Sequence, residues 1–478
     1  METNDSQNTE EANQENPRPK RASLYFDEDE DYNIQDSENP MFNECPSINL
    51  ENDKANDKIN DKTNSYKSLM KNSGFFGVLN IMASAIGGGS FSFPKIIDNI
   101  GPIYSLIIFL LVSFSIYYSL EILRSFIIKT NLFSYAEITN KAIGKKVHRM
   151  YCVFSIILFL SIIINYNSLI YSYFDDILEL NKSKYGKMIF FSSSSVIEII
   201  LCIFTSQLSK VHILSAISII SFVVILFIEI YLSVQNIIVN GFERKFSNVF
   251  LPYSNFYISD LFKILSIFTE YIYAYTYHCS FPTLIGNLLV KNENETKKIN
   301  KISFICIFAS YILISIFGYI STLDVSDILF QNYYSSNYSF FVVAFKIILC
   351  IFLLSLIPIR YIVIRDSYTS LIFINIPNYA EKIITIINLV IANVIGYFIS
   401  GKDEENDTHL AHIKTLVELF GGIFGVYICF ILPVITYMYL NEDKCSLKSV
   451  IGYIIAIAFT IIGLSSAGFS IYQEIKRR

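Results

Sequence analysis

Two short stretches hold the residues that could do chemistry. The first is Asn80-Ile-Met-Ala-Ser-Ala-Ile-Gly-Gly-Gly-Ser-Phe-Ser-Phe-Pro94, three consecutive glycines followed by a proline. The second is Tyr273-Ala-Tyr-Thr-Tyr-His-Cys-Ser-Phe-Pro-Thr-Leu-Ile-Gly286, with His278 and Pro282 near its centre. Glycine loosens a helix, and proline removes a backbone donor and disfavours helix at the residue before it. Both stretches lie inside membrane-length apolar segments, where a freed N–H or C=O costs several kcal/mol unless protein or a water-filled cavity satisfies it. A break in such a place predicts a binding site. N–H groups that begin the second half-helix, near Gly87, Gly88, Gly89 and Ser90, suit a carboxylate; carbonyls that end the first half, near Ala83, Ala85 and Ile86, suit an ammonium or another cation. His278 and Cys279 are expected to border the same pocket. Close helix packing would explain the glycines taken alone, but not the proline and the second break.

The elements that must position these residues are membrane spans. Hydrophobic residues make up 53% of the chain and aromatics 15%, with no Trp, and the mean hydropathy is +0.44, far from the balance of a soluble domain. Eleven segments approach the ~20 residues that a bilayer core requires: roughly 74–96, 102–128, 149–174, 187–207, 212–236, 262–290, 302–323, 339–365, 381–400, 415–440 and 447–472. The breaks fall in the first and sixth, the arrangement expected of two inverted halves with substrate between them. Ionisable residues within spans are costly and usually face a cavity or a partner. Here they are Glu121, Glu198, Glu229, Glu270, Lys346 and Glu418, of which Glu121 and Glu418 lie near span ends, within reach of water. Glu270 stands two turns before His278, a spacing that suits a proton relay. Asn165, Tyr166 and Asn167 in the third span suit either a cavity wall or helix-to-helix hydrogen bonds.

Residues 1–71 read differently from the rest. They are rich in acidic groups, with four in a row at Asp27 to Glu30, poor in large apolar ones, and contain the near-repeat Glu51-Asn-Asp-Lys, Ala55-Asn-Asp-Lys, Ile59-Asn-Asp-Lys. Such a segment cannot bury enough surface to offset its ordering entropy. It is expected to be a disordered tail, ahead of a transporter-like domain at 72–478. Lys and Arg concentrate in alternate connections (Lys141, Lys145, Lys146 and Arg149; Lys291, Lys297, Lys298 and Lys301), which places the N-terminus in the cytoplasm. The sequons at Asn181, Asn337 and Asn406 then fall on the opposite side, as glycosylation requires. Lys20-Arg-Ala-Ser23 is a candidate phosphorylation site. No Walker loop, CxxC pair or His/Cys cluster appears, so neither ATP hydrolysis nor a metal cofactor is expected. The expectation is an integral, multi-pass membrane protein of the plasma membrane or a vacuole-like compartment. It is not an enzyme, carries no cofactor and has no nucleic-acid partner.

Four motifs give a resemblance. Gly87-Gly-Gly-Ser-Phe-Ser-Phe-Pro94 resembles the first-helix motif of the amino acid/auxin permease family. Tyr277-His-Cys-Ser-Phe-Pro-Thr-Leu-Ile-Gly-Asn-Leu288, followed by Asn294-Glu-Thr-Lys-Lys-Ile299, resembles its sixth-helix pattern with a basic exit. Leu356-Ile-Pro-Ile-Arg360 is similar to the Phe-Pro-Ile-Arg that ends its eighth helix. Gly421-Gly-Ile-Phe-Gly425, with Phe430-Ile-Leu-Pro-Val-Ile-Thr-Tyr437, resembles its tenth. The resemblance covers residues 74 to about 440, in order. It implies an all-α membrane protein of about eleven transmembrane helices with a leucine-transporter-like inverted 5+5 repeat plus one, and secondary active transport of amino acids by alternating access.

Two departures bear on coupling. Sodium-coupled members carry an Asn where this chain has Ala83, and Thr in the eighth helix where it has the mostly apolar Leu349 to Leu354. Sodium wants several hard oxygen ligands, so a proton-coupled or facilitative carrier of neutral amino acids is expected over a sodium-coupled one. Arg360 is expected to snorkel at the inner face and to serve the cytoplasmic gate. The competing expectation is an amino acid sensor that recruits partners through its acidic tail.

Overall fold

The computed structural model describes residues 74–205, 208–241, 258–288, 291–321, 340–372, 377–400, 415–440 and 447–477. The acidic segment 1–71, with Ser23, and the sequons at Asn337 and Asn406 lie outside the described residues. Asn181 falls in a short turn, Leu180–Lys182.

Every regular element among the described residues is helical. The first span is broken: α1 (Gly74–Ala85) meets the stretch Gly88–Ile100, which ends as α2 (Phe93–Ile100), at 55°. Gly101, at φ 83°, turns the chain into α3 (Pro102–Thr130), a backbone conformation that favours glycine. Then come the short α4 (Tyr135–Ala142), the long α5 (Lys145–Leu178), α6 (Gly186–Phe204) and α7 (Leu208–Asn240). The second interruption separates α8 (Ile258–Ala274) from α9 (Phe281–Gly286). The remainder is α10 (Glu293–Ser321), α11 (Phe340–Ile372), α12 (Asn378–Ile399), α13 (Thr415–Tyr439) and α14 (Leu447–Arg477). Among the described residues nine helices are long and apolar enough to cross a membrane, ten if the bent first pair is one span. The expected sixth span differs because its break leaves helices of 17 and 6 residues, each short of a crossing.

The surface is apolar, with Ile189, Ile220, Phe227, Phe398 and Ile454 all exposed, as suits a wall against lipid. Burial sorts the helices into centre and rim. Some 61% of the apolar windows of α5, α11 and α13 is buried, against 22% for α6, so the first three form the core into which the breaks open.

Small residues let backbones meet in that core. A β-carbon on Gly463 of α14 would lie 2.2 Å from the Gly422 carbonyl oxygen of α13, and one on Gly421 would lie 2.6 Å from the Thr269 carbonyl oxygen of α8. These obstacles are backbone atoms that cannot swing aside. Gly463→Ala is therefore expected to destabilise the protein by about 1–3 kcal/mol, read as a lowered midpoint of thermal unfolding in detergent; an unchanged midpoint would show that the helices separate freely.

A buried ion pair joins α5 to α11: Lys346 Nζ lies 3.0 Å from Asp176 Oδ2, with side chains only 7% and 6% exposed. Removing one partner strands the other charge. Lys346→Met should cost about 3–5 kcal/mol, and adding Asp176→Asn should recover part of that loss in the same unfolding assay. Additive losses would mean the pair is not coupled.

Candidate functional site

The two breaks face one another. The Ile86 N–H donates to the Met82 carbonyl at 2.8 Å and closes α1; Gly87 is extended (φ −156°, ψ −172°); the Ser90 N–H and Oγ then donate to the Gly87 carbonyl at 3.1 and 2.8 Å. An extended backbone is open to any residue, so space rather than conformation demands glycine here. A β-carbon on Gly87 would sit 2.1 Å from Tyr166 Oη and 3.1 Å from Arg360 Nη2. One on Gly88 would sit 3.0 Å from Leu169 Cδ1, and one on Gly89 3.4 Å from Ala274 Cβ. The glycines thus form a surface against which α5 lays Tyr166 and Leu169, and α8 lays Tyr273 and Ala274.

In the sixth span, the Tyr275 N–H still reaches the Tyr271 carbonyl at 3.2 Å, the Tyr277 N–H folds back to the Tyr275 carbonyl at 2.8 Å, and the Phe281 N–H donates to the Tyr277 carbonyl at 3.1 Å to start α9. Pro282 lies in the first turn of α9, where a missing N–H is harmless. One side chain ties the breaks together. Tyr311 Oη of α10 lies 2.9 Å from the carbonyl oxygens of both Ala85 and Ala274, the last residues of α1 and α8. Tyr275 and Tyr271 are pinned from α3 by Ser113 and Ser105, each at 2.9 Å.

The carbonyl side of the first break is already occupied. Arg360 of α11, 4% exposed, donates from Nη1 to the Ser84 carbonyl and from Nη2 to the Ala85 carbonyl at 3.3 Å. This corrects the expectation of a snorkelling anchor. The open carbonyls and the negative end of the α1 dipole draw the guanidinium inward instead. With Tyr311 also on the Ala85 oxygen, the Ser84 and Ala85 carbonyls are engaged by the protein's own donors. Ala83 and Ile86 are fully buried beside them.

The sequence-predicted residues of the sixth span divide. His278 is fully buried, and neither ring nitrogen makes a well-formed hydrogen bond, although the Tyr275 backbone lies beside it. No hydrogen bond joins it to Glu270, so the expected relay is not assembled. Cys279 lies beside the Tyr151 hydroxyl of α5. Asn165 lies beside the Tyr273 hydroxyl, with Ser161 next to it, and its amide oxygen makes no hydrogen bond, but Asn167 is turned to another partner. Its Nδ2 donates to Glu198 Oε2 of α6 at 3.3 Å. Glu121 pairs with Arg124 at 2.6 Å on α3. Glu418, expected to reach water, is 6% exposed and accepts from Ser470 Oγ of α14 at 2.5 Å. Tyr273 and Tyr311 are site residues that the sequence did not single out; Tyr166 was marked by the polar Asn165-Tyr-Asn167 run in an apolar span.

Below the breaks a cavity of about 30 Å³ is lined by Asn80, His212, Ser280, Thr283, Asn287 and Asp366, among others. It has room for a water or so, and nothing the size of an amino acid passes. Asn80 Nδ2 and His212 Nδ1, 2.7 Å apart, latch α1 to α7 across it.

Comparison with known proteins fits this geometry. Solved structures of the Eremococcus coleocola manganese transporter share the fold. A mutant form gives a TM-score of 0.58 at 13% identity, covering 85% of this chain and 88% of that one. The complex with an aromatic bis-isothiourea substituted compound gives 0.52 at 12% identity, with the same coverage. The architecture is therefore the leucine-transporter-like one. A Plasmodium berghei (strain Anka) protein bearing the provisional name amino acid transporter AAT1 is 26% identical over 312 residues, 64% of this chain; the chain spans about half of that relative, 48% of its length. The family profile described as transmembrane amino acid transporter protein matches residues 70–476, with both interrupted helices inside the match. Over that extent the chain belongs to the transmembrane amino acid transporter family.

Proposed function

We propose that this protein carries neutral amino acids across a membrane by alternating access, with the substrate held where the two interrupted helices meet. The observation that carries the reading is the juxtaposition of the breaks: buried glycines, unwound backbone and Tyr311 fastening α1 and α8 at one point. The substrate carboxylate is assigned to the N–H groups at Gly88 and Gly89, which open a half-helix, beside Ser90, whose own N–H is held by the Gly87 carbonyl. The ammonium is assigned to the Ile86 carbonyl and to His278, whose ring nitrogens are left without a well-formed bond. Tyr166, Leu169, Tyr273 and Ala274 make an apolar and aromatic wall, which suits an uncharged side chain.

The coupling reading rests on Arg360. A fixed guanidinium on the α1 carbonyls performs the charge-balancing task that a bound cation would perform there, which favours proton-coupled or facilitative transport over sodium coupling. The N-terminus is assigned to the cytoplasm from the distribution of basic residues.

Reconstituted protein in vesicles, offered radiolabelled amino acids under imposed proton or sodium gradients, tests both statements. Neutral amino acids are expected to accumulate or exchange, and a sodium gradient alone is expected to add nothing. Absence of any amino acid flux under every gradient would sink the transport reading. Accumulation driven by sodium alone would sink the coupling reading.

A further inference from the structure

Away from the breaks, Glu198 of α6 is fully buried, and among the described residues no lysine, arginine or second carboxylate interacts with it. Three neutral side chains from three helices hold it. Ser194 Oγ donates to Oε1 at 2.7 Å; Asn393 Nδ2 of α12 and Asn167 Nδ2 of α5 donate to Oε2 at 2.9 and 3.3 Å. The amide oxygens of Asn167 and Asn393, both at least nine-tenths buried, have no hydrogen-bond partner. An ionised carboxylate at membrane depth is costly without a neighbouring cation. Two idle acceptors at its side are equally out of place in a settled structural contact.

Both anomalies have one resolution. We propose that Glu198, with Ser194, Asn393 and Asn167, is a proton-binding site whose state is passed along α5 to the substrate pocket. This rests on the transport reading above.

The two amides are not equivalent. Asn393 Nδ2 also donates to the Leu389 carbonyl at 3.0 Å, which fixes it as a donor. Asn167 is held only by the longer bond to Glu198. When a proton adds to Oε2, the acid O–H needs an acceptor, and a half-turn of the Asn167 amide exchanges Nδ2 for the idle Oδ1. The proton stays on Oε2. Asn167 is next in sequence to Tyr166, whose hydroxyl lies against Gly87, so a turn at Asn167 acts one residue from the first break. Among titratable groups, Cys202 lies one turn along α6, with Tyr361 and Arg365 of α11 beyond it. Arg365 is engaged by Asp366 and Glu381 at 3.9 and 3.5 Å. From α5 and α12 the side chains in contact with it are the amides of Asn167 and Asn393; one turn along those helices, Tyr171 and Tyr397 lie under Lys187 Nζ of α6, 5.9 and 4.6 Å from their ring centres.

Two measurements decide this. In vesicles, the ratio of radiolabelled amino acid uptake with and without an inside-alkaline pH gradient is compared between wild type and Glu198→Gln, a mimic of the protonated acid. The ratio should exceed one in wild type and fall to one in the variant; an equal ratio in both overturns the proposal, as does a gradient response that requires sodium. Separately, infrared difference spectra across pH should show a protonated-carboxyl band that titrates in wild type and is missing in Glu198→Gln. Absence of that band in wild type overturns the proposal whatever the fluxes. If the vesicles take up no amino acid at all, the transport reading fails while the infrared result still decides the proton site. Should Glu198→Gln not fold, Asn393→Leu serves. Loss of a donor to the anion should move the titration midpoint to higher pH, and an unmoved midpoint counts against the site.

Discussion

Gly87→Ala is expected to fold, insert and transport almost nothing. Alanine adopts the extended Gly87 backbone without strain, so the effect is one of space. Its β-carbon would stand 2.1 Å from Tyr166 Oη and 3.1 Å from Arg360 Nη2, far inside contact distance. Tyr166 is buried at 2% exposure and has no free volume to enter, so it shifts into the pocket or the break opens. Overpacking of this kind costs about 1–3 kcal/mol, equivalent to roughly 5- to 150-fold in substrate affinity. Gly88→Val is expected to act in the same direction, because the first added carbon already sits 3.0 Å from Leu169. Gly89→Ala should lose far less, its β-carbon being in ordinary contact at 3.4 Å. Concentration-dependent uptake per folded molecule, with size-exclusion profiles as the folding control, separates the three. Equal losses at Gly87 and Gly89 would show that flexibility, not the space beside Tyr166, is what the glycines provide.

Arg360→Ala is the second large effect. It leaves the Ser84 and Ala85 carbonyls short of the donors that now cap α1, in a place water reaches poorly. Hydrogen bonds from a charged donor contribute about 1.5–3 kcal/mol each, so transport should fall at least tenfold and the unfolding midpoint should drop. Arg360→Lys should rescue little, because an ammonium is a point charge and cannot meet two adjacent carbonyls with a planar fork. Free guanidinium at millimolar concentration should restore part of the flux in Arg360→Ala and none in wild type. If Arg360→Ala transports normally, or if sodium ions restore it better than guanidinium, the capping account is wrong and the site is an ordinary cation site.

Both predictions turn on contacts that the sequence did not point to. The breaks themselves were plain to read, since a run of glycines before Pro94 and a histidine before Pro282 interrupt segments that are otherwise mainly apolar. The spans were legible for the same reason, except that the sixth is two short helices. Facing was not legible. Residues 161–171 of α5 are buried on every side, so the apolar residues there show no periodicity from which the orientation of Asn165, Tyr166 and Asn167 can be taken. The structure sends Asn165 to Tyr273, Tyr166 to Gly87 and Asn167 to Glu198, three consecutive residues on three different errands, because successive side chains of a helix diverge by about 100°. Cys279 and His278, in the unwound stretch between α8 and α9, also part company, one lying beside Tyr151 and the other left without a well-formed bond.

The sequence by itself determined that the chain lives in a membrane and where its backbone must leave the helix, because those properties are local: apolar length, glycine and proline act within a turn or two. Only the tertiary structure decided what fills the vacancy that each break creates. Arg360 caps α1 from 276 positions away, and Tyr311 reaches Ala85 across 226. An open carbonyl in a dry interior takes whichever donor the packing of distant helices delivers, and no local pattern encodes that delivery. Ala83 left the coupling cation in doubt on sequence grounds; the guanidinium that stands beside it came from another helix.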